Sequence, residues 1–567
     1  MHIALSIPEI VSELCNALLE DNGAREGEGP YTICNARALA VCARTCRAFH
    51  VPAIKALWKD DRLTLEIVLL HCMPQDIWEV QRGAPGYYSS KKIDKYTLGR
   101  AIRSSDLDRL VYYAPLVNKL TFGSAAHLKM NVPYGKNLPE LSDECYLALS
   151  LAFPGPIFPN LRHLVWNDQS AKLDHMLPFL SPNAVSLDIT THYTGASLMT
   201  VLSHLPMRCP TITNFTFLCD RWNSLADIEV VERTLAITVC SWSLRNFRSR
   251  TADHTTIRHL SRCPSLETLW IYRDRLPSWN LPSIELGHVA AFASLRTMFL
   301  HKASMKRNIE LMQGCAFNNL EELRIRLEHP STGEWPALFR AIRDAHARPH
   351  IMHTLEINEW RADLPTDFRD PVRDADVEPL LAFVGLRDLD LECTGGFDFA
   401  DETVQRMAET WPRLKNLRLY AKEPATWERH LTLDALASLA MHCPDLQCLE
   451  IEVDATGVTY DRNPPRPAKP PSLSSISFHW SPITSARVVA GFLSVIFPNL
   501  TDTDANEDAD EAAKKRWRRV GSTAKLFAML REQERMDALG EIPSDEHLEV
   551  DDTNYISASE SEIDDDE

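Results

Sequence analysis

Arginine and aromatic side chains recur in pairs two residues apart: Arg248 and Arg250, Trp270 and Tyr272, Phe299 and His301, Arg324 and Arg326. A further pair, Arg418 and Tyr420, lies among carboxylates, with Glu356, Asp390 and Glu392 before it and Glu450 and Glu452 after it. These side-chain types recognise rather than transform. A guanidinium grips a carboxylate or phosphate through a planar fork of donors and stacks on aromatic rings. Together with Trp and Tyr, it is the usual anchor of a binding surface. Alternate residues of a strand point to one face, so a spacing of two puts each pair on the same side of a sheet. The stripe 248–326 therefore reads as a recognition surface suited to an acidic or phosphorylated segment.

Bond-making chemistry has no comparable signature. No GxGxxG, GxxxxGK[ST], HExxH or GxSxG occurs, and the 20 histidines show no metal-ligand spacing. The 14 cysteines run from Cys15 to Cys448 without a CxxC pair; Cys42/Cys46 and Cys443/Cys448 come nearest. That spacing suits neither a disulfide framework nor a zinc site, and reduced, buried thiols are expected. No catalytic residue, cofactor or metal is expected. Asn214-Phe215-Thr216 and Asn499-Leu500-Thr501 match glycosylation acceptors, but nothing secretory supports them: the N-terminus lacks a basic region followed by an apolar one.

The elements that position these side chains come from one recurring pattern, apolar-x-x-apolar-x-apolar. It reads Leu161-Arg162-His163-Leu164-Val165-Trp166, and recurs clearly from Ala184, Ile212, Leu266, Leu295, Leu320, Leu386, Leu414 and Leu446. Weaker copies sit at Leu120/Phe122, Phe247, Leu355/Ile357 and Ile476/Phe478. From residue 164 onward, the second apolar position of each copy follows the last by 22 to 34 residues. The last two apolar residues of each copy share a strand face and point inward, and the residues between copies supply a covering helix. Asp434–Pro444 shows the helix: Leu436, Leu439 and Cys443 fall at helical spacing before Pro444 stops it. Cys209-Pro210, Cys263-Pro264 and Trp411-Pro412 repeat that stop.

Over residues 116–505 this pattern resembles leucine-rich repeats in a long, irregular version with few of the usual asparagines. The resemblance implies an α/β solenoid, with the arginine and aromatic pairs on its concave face.

Residues 6–58 do not follow the repeat. Ser6-Ile7-Pro8-Glu9-Ile10-Val11 opens a helix whose apolar stripe is Ile10, Val11, Leu14 and Leu18. In a second helical segment Leu39, Cys42, Cys46 and Phe49 are expected on one face, before Leu57-Trp58. Pro8-Glu9-Ile10-Val11 with Leu14 and Leu18, then Thr45-Cys46-Arg47-Ala48-Phe49, then Leu57-Trp58, together resemble an F-box. That family docks on the Skp adaptor of cullin–RING (SCF-type) ubiquitin ligases, and the repeats that often come next capture a protein substrate. The resemblance implies that Ile7, Pro8, Ile10, Val11, Leu14, Leu18, Cys46, Phe49 and Trp58 are adaptor contacts or F-box core. It also implies that Arg248, Arg250, Trp270, Tyr272, Phe299, Arg324, Arg326, Arg418 and Tyr420 face the substrate, in the cytoplasm or nucleus. One departure is the polar, Gly-rich insertion 20–33. An interaction scaffold without a ligase role and, in another class, a GTPase-activating solenoid are the alternatives.

The expected organisation is an F-box-like module at 1–60, a helical connector at 61–115, repeats at 116–505, a charged helix at 506–540 and an acidic tail at 541–567. Lys514-Lys515-Arg516-Trp517-Arg518-Arg519 in that helix could serve as a nuclear localisation patch or a solvated face. Pro464–Pro471 reads as an extended spacer within the repeats. The formal charge is −18, which argues against general nucleic-acid binding. Twelve acidic residues and no Lys or Arg fall in 541–567, however, so the repeats themselves are nearly balanced. No apolar run is long enough to span a membrane.

Overall fold

The computed structural model describes residues 7–20, 34–58, 64–86, 89–123, 138–168, 173–219, 225–272, 292–327, 333–359, 370–424, 429–459 and 464–539. Nearly all of the 20–33 insertion and the whole acidic tail lie outside them. Contacts divide the chain into two units, Met1–Pro365 and Thr366–Glu567. Both are mixed α/β, and in both parallel strands alternate with helices, as a repeat solenoid requires.

The first unit begins with helices α1 (Pro8–Glu20), α2 (Cys34–Thr45) and α3 (Arg47–Leu57). Pro8 is the first helical residue of α1, where its missing N–H costs nothing. Val11, Cys15, Leu39, Ala43, Ala53 and Ala56 form the buried core, with Leu18, Cys42, Phe49, Ile54 and Leu57 packed around it. The second segment is not one helix, which corrects the face expected for Leu39, Cys42, Cys46 and Phe49. The chain breaks at Cys46, whose backbone is extended (φ −158°, ψ 166°) and whose side chain is exposed. Only Leu39, Cys42 and Phe49 join the core.

The stretch expected as a helical connector is also not all helix. It contains helices at Leu65–Cys72 and Asp108–Tyr113, but between them runs an antiparallel hairpin, Trp78–Gly86 with Ser89–Leu98. Leu138–Leu141 adds a third, parallel strand to that hairpin. Arg100 ties its end down by bridging Asp76 (2.8 Å) and Asp106 (2.7 Å).

Among the described residues, nine parallel strands come next in the first unit, each paired with its successor. They are Lys119–Phe122, His163–Asp168, Ser186–Thr191, Asn214–Cys219, Asn246–Ser249, Thr268–Ile271, Thr297–Ala303, Glu322–Leu327 and Thr354–Glu359. Every copy of the apolar pattern in this span lies on one of them. The second apolar positions are in register across the sheet: Leu120, Leu164, Leu187, Phe215, Phe247, Leu269, Met298, Leu323 and Leu355, all buried.

A backbone corner repeats with the strands. One carbonyl accepts both N–H groups that open the next strand: Val185 O from Thr213 and Asn214, Thr213 O from Arg245 and Asn246, Arg245 O from Glu267 and Thr268. Parallel neighbours require a crossover, and helices such as Ala196–Arg208 and His254–Arg262 provide it. Both end one residue before a Cys-Pro pair whose cysteine is buried, as the stop signal predicts.

Among the described residues, the second unit repeats this plan in five parallel strands: Asp388–Cys393, Asn416–Ala421, Cys448–Ile451, Ser475–Ser477 and Asp502–Asp504. The same corner recurs, with Arg387 O accepting from Lys415 and Asn416, and Lys415 O from Gln447 and Cys448. Its crossover helices Asp401–Thr410 and Leu433–His442 end before Trp411-Pro412 and Cys443-Pro444. The proline-rich segment carries no strand or helix and is pinned by buried Pro467 and Pro471.

A long helix, Glu511–Leu539, packs on the helix Ala486–Ile496 and the last strand. Trp517 is buried, stacked on Phe478 at 3.8 Å, and donates from Nε1 to Ser481 O. Gly521 approaches the last strand so closely that a Cβ would lie 2.8 Å from Thr503 N. The basic run 514–519 thus belongs to a helix that seals the end of the sheet. Lys514 pairs with Glu511, and Arg516 donates to Ile483 O, while Arg518 and Arg519 face solvent.

Candidate docking surfaces

The nine N-terminal candidates separate by burial. Ile7 (40% exposed), Ile10 (38%) and Leu14 (44%) form an apolar stripe in solvent at helical spacing, with exposed Pro8 beside them. Val11 is buried, while Leu18 and Phe49 pack against the core, so these three hold the module together. Cys46 is exposed at the α2–α3 break. Trp58 stacks on Tyr113 at 4.9 Å and anchors the module to the helix Asp108–Tyr113. Val41 and Val51 are also exposed, and sequence reasoning missed them. Each is an apolar residue that the helical period places off the core, which is the signal that could have found them.

On the sheet face of the first unit, register sets the neighbours. Thr216, Arg248, Trp270, Phe299, Arg324 and Glu356 form one cross-strand row. The Arg248 guanidinium lies 4.6 Å above the Trp270 ring, Arg250 lies 5.4 Å from that of Tyr272, and Arg326 lies 5.7 Å from that of Phe299. Trp270 and Phe299 rings are 5.0 Å apart, and Tyr272 stacks on buried His301 at 4.2 Å. The seven candidates from Arg248 to Arg326 therefore come together on four adjacent strands.

Phe299 is only 6% exposed, packed against Trp270, Tyr272 and Arg326, so it offers little surface of its own. Arg324 and Arg326 both reach Glu356, at 3.6 and 3.5 Å, and their charge is partly answered within the sheet.

A groove of about 360 Å³ opens at the start of these strands, lined by Asn214, Thr216, Asn246, Arg248, Trp270 and Thr297, among others. Asn246 donates from Nδ2 to Asn214 Oδ1 at 2.5 Å. The sequence reading missed this polar row. Its members stand immediately before the second apolar position of each copy, so the same two-residue alternation that gave Arg248 would have given Asn246.

Arg418 and Tyr420 belong to the second unit and join a different network. Arg418 is flanked by Glu450 at 2.9 Å and Asp390 at 3.4 Å. Tyr420 stacks on His479 at 4.6 Å, and His479 Nε2 meets Glu450 at 3.1 Å. The His479 hydrogen bond and the Arg418 charge hold the Glu450 carboxyl below its usual range. Lys422 pairs with Glu392, and Arg429 with Glu452. Burial pushes the Glu452 carboxyl up despite that arginine, and burial beside these carboxylates pushes the Tyr420 phenol up. Arg418 and Tyr420 thus face outward but are engaged by charged and aromatic neighbours of their own sheet.

Among the described residues no group of His, Cys, Asp or Glu side chains could hold a metal, and no helix is long and apolar enough to cross a membrane. No protein-family model matches the chain, and no curated protein does. Among solved structures, a chain of the yeast Rad7 and Elc1 complex matches with 13% identity and a TM-score of 0.36 over 62% of this chain and 78% of its own. A similarity that remote says nothing about partners.

Proposed function

We propose that the chain is a non-catalytic substrate receptor of an SCF-type ubiquitin ligase, an F-box module docking on a Skp adaptor ahead of substrate-binding leucine-rich repeats. The observation that carries this is the solvent-facing stripe of Ile7, Ile10 and Leu14 on the first helix of a three-helix module that has its own core. Val11 and Cys15 on the same helix already fill that core, so the stripe has no intramodular role. Fully burying one such side chain in a partner is worth about 1.5–3 kcal/mol. The residues that carry the F-box resemblance include two of this stripe, and a strand–helix array succeeds the module, as that family's architecture requires.

The test is co-purification of the full chain with a Skp-type adaptor. The wild type is expected to co-elute, and a double variant, Ile10→Asp with Leu14→Asp, is expected to lose the adaptor with an unchanged melting temperature, because both positions face solvent. Retained binding by the double variant would sink the docking assignment. A wild type that never binds the adaptor leaves the scaffold alternative.

A further inference from the structure

We propose that the groove beside Arg248 is an anion subsite that takes the carboxylate or phosphate of an extended acidic peptide. The proposal rests on the receptor reading for the ligand being a protein segment. It moves the anion away from Arg324 and Arg326, the positions the sequence favours equally.

Three observations carry it. The Arg248 side chain has no carboxylate partner among the described residues, whereas Arg324 and Arg326 share Glu356. Its guanidinium lies 4.6 Å above the Trp270 ring, and Arg248 and Trp270 both line the groove. Stacking also fixes a side chain that otherwise loses considerable rotamer freedom on binding, so the fork is set before the ligand arrives.

Neutral polar groups line the same groove. The hydroxyls of Thr216, Thr268 and Thr297 make no hydrogen bond among the described residues, and the Asn246–Asn214 bond orients an amide beside them. Among the described residues Arg248 is the one charged side chain lining the groove, with Arg250 two residues along the chain and Asp188 two strands away on the same row, so the groove itself matches a single anionic side chain. The aromatic surface of Trp270 and Tyr272 continues along the sheet and suits the apolar neighbours of that side chain.

A polyanion fits less well. Glu356 lies on the same row, and repeated phosphates would have to run across it. Four strand spacings separate Glu356 from Arg248, about 19 Å, which exceeds the roughly 8 Å screening length at physiological salt. The acid therefore shapes one end of the row without weakening the other.

The experiment uses the purified full chain on an array of short random peptides with phosphoserine, glutamate or alanine fixed at the centre. A single-stranded oligonucleotide is assayed separately. Retention of the phosphoserine or glutamate peptides over alanine is expected. Arg248→Ala should reduce it about tenfold, the loss of one charge-assisted contact, with the melting temperature lowered by no more than about 2 °C. Glu356→Gln should change it less than about twofold, because screening isolates the two positions. Preference for phosphoserine over glutamate identifies phosphate as the source; equal retention identifies carboxylate.

Equal retention of alanine peptides overturns the subsite. So does increased binding by Glu356→Gln with Arg248→Ala unaffected, which would return the anion to Arg324 and Arg326. Arg248-dependent binding of the oligonucleotide in preference to every peptide would make the surface a nucleic-acid one. Adaptor co-purification on the same preparation separates the two proposals. A failed array with adaptor bound removes the subsite alone, and a working array without adaptor removes the ligase role alone.

Discussion

In the first unit one outward row runs Thr216, Arg248, Trp270, Phe299, Arg324, Glu356; in the second it runs Asp390, Arg418, Glu450, Ser477, Asp504. Beneath both, the inward rows are the same kind of residue, Phe247, Leu269, Met298 and Leu323 against Leu389, Leu417, Leu449 and Ile476. Both use the same doubly accepting carbonyl at the strand start. The backbone and inward rows fix the repeat, which leaves alternate positions to vary. In one unit an arginine lies on an indole and keeps its donors. In the other, an arginine sits between two carboxylates that occupy them. Counting arginines on a strand face therefore says little about binding until the cross-strand neighbour is known.

The largest expected effect tests the shared part of that comparison. Leu269→Ala and Leu417→Ala, one per unit and both fully buried, should each cost about 2–5 kcal/mol by leaving a cavity. Two units need not unfold as one transition, so the readout is amide hydrogen exchange resolved by peptide. Protection should fall chiefly in the unit that carries the change. If either leucine could be truncated without loss, the two sheets would not be held by equivalent rows.

The pH response should separate the units more finely. Glu66 in the first unit is buried at the start of the helix Leu65–Cys72, where its carboxylate accepts from Gly123 N at 3.3 Å. Gly123, directly after the strand Lys119–Phe122, has φ +122°, and a Cβ there would lie 2.3 Å from Asn167 O. Burial raises the Glu66 carboxyl from 4.5 to about 7. The folded state thus holds its proton more tightly than the unfolded chain. Its contribution is complete below pH about 4.5 and is lost as pH rises through 7, by roughly 3 kcal/mol. Glu450 in the second unit is displaced the other way, so its contribution is present above its unfolded value and lost in acid. Glu66→Gln should flatten the neutral-side decline of the first unit, and Glu450→Gln the acid-side decline of the second. Variants that leave both pH profiles unchanged would show that neither carboxyl is set by its neighbours.

How much of this was legible in the sequence depends on the range of each interaction. The apolar pattern and the Cys-Pro stops are local, and every clear copy marks a strand. The hairpin at Trp78–Leu98 was missed because it stands outside the repeat, and because Gly83-Ala84-Pro85-Gly86, which reads as a turn, lies within its first strand where the register shifts. Cys46 was placed on a helix because its neighbours fit the period; only the backbone shows the break. The seven residues of the first-unit stripe were legible as a group, since strand alternation alone puts them on one face. Glu356 as the partner of Arg324 was not, because 32 residues separate them and only the register makes them adjacent. The burial of Phe299 has the same origin, arising from side chains on both neighbouring strands.

The smallest effect bears most directly on the difference between the two faces. Arg418→Ala leaves Asp390 and Glu450 without their shared cation. Half-exposed ion pairs contribute about 0.2–1 kcal/mol each, so a destabilisation near the top of that range is expected. Arg248→Ala removes a cation–π contact worth about 0.5 kcal/mol at an exposed position. The magnitudes are close, and salt separates them. Raising ionic strength shortens the screening length to about 3 Å at 1 M, which should weaken the Arg418 effect. The Arg248 effect should persist, because the guanidinium rests directly on the ring with little water between. Hydrogen exchange of the strands Asn416–Ala421 and Asn246–Ser249 at low and high salt reads both. If the Arg248 effect weakened with salt as the Arg418 effect should, distant charges and not the indole would be holding the guanidinium. Its fork would then not be set in advance for an anion, and the two faces would differ in charge alone.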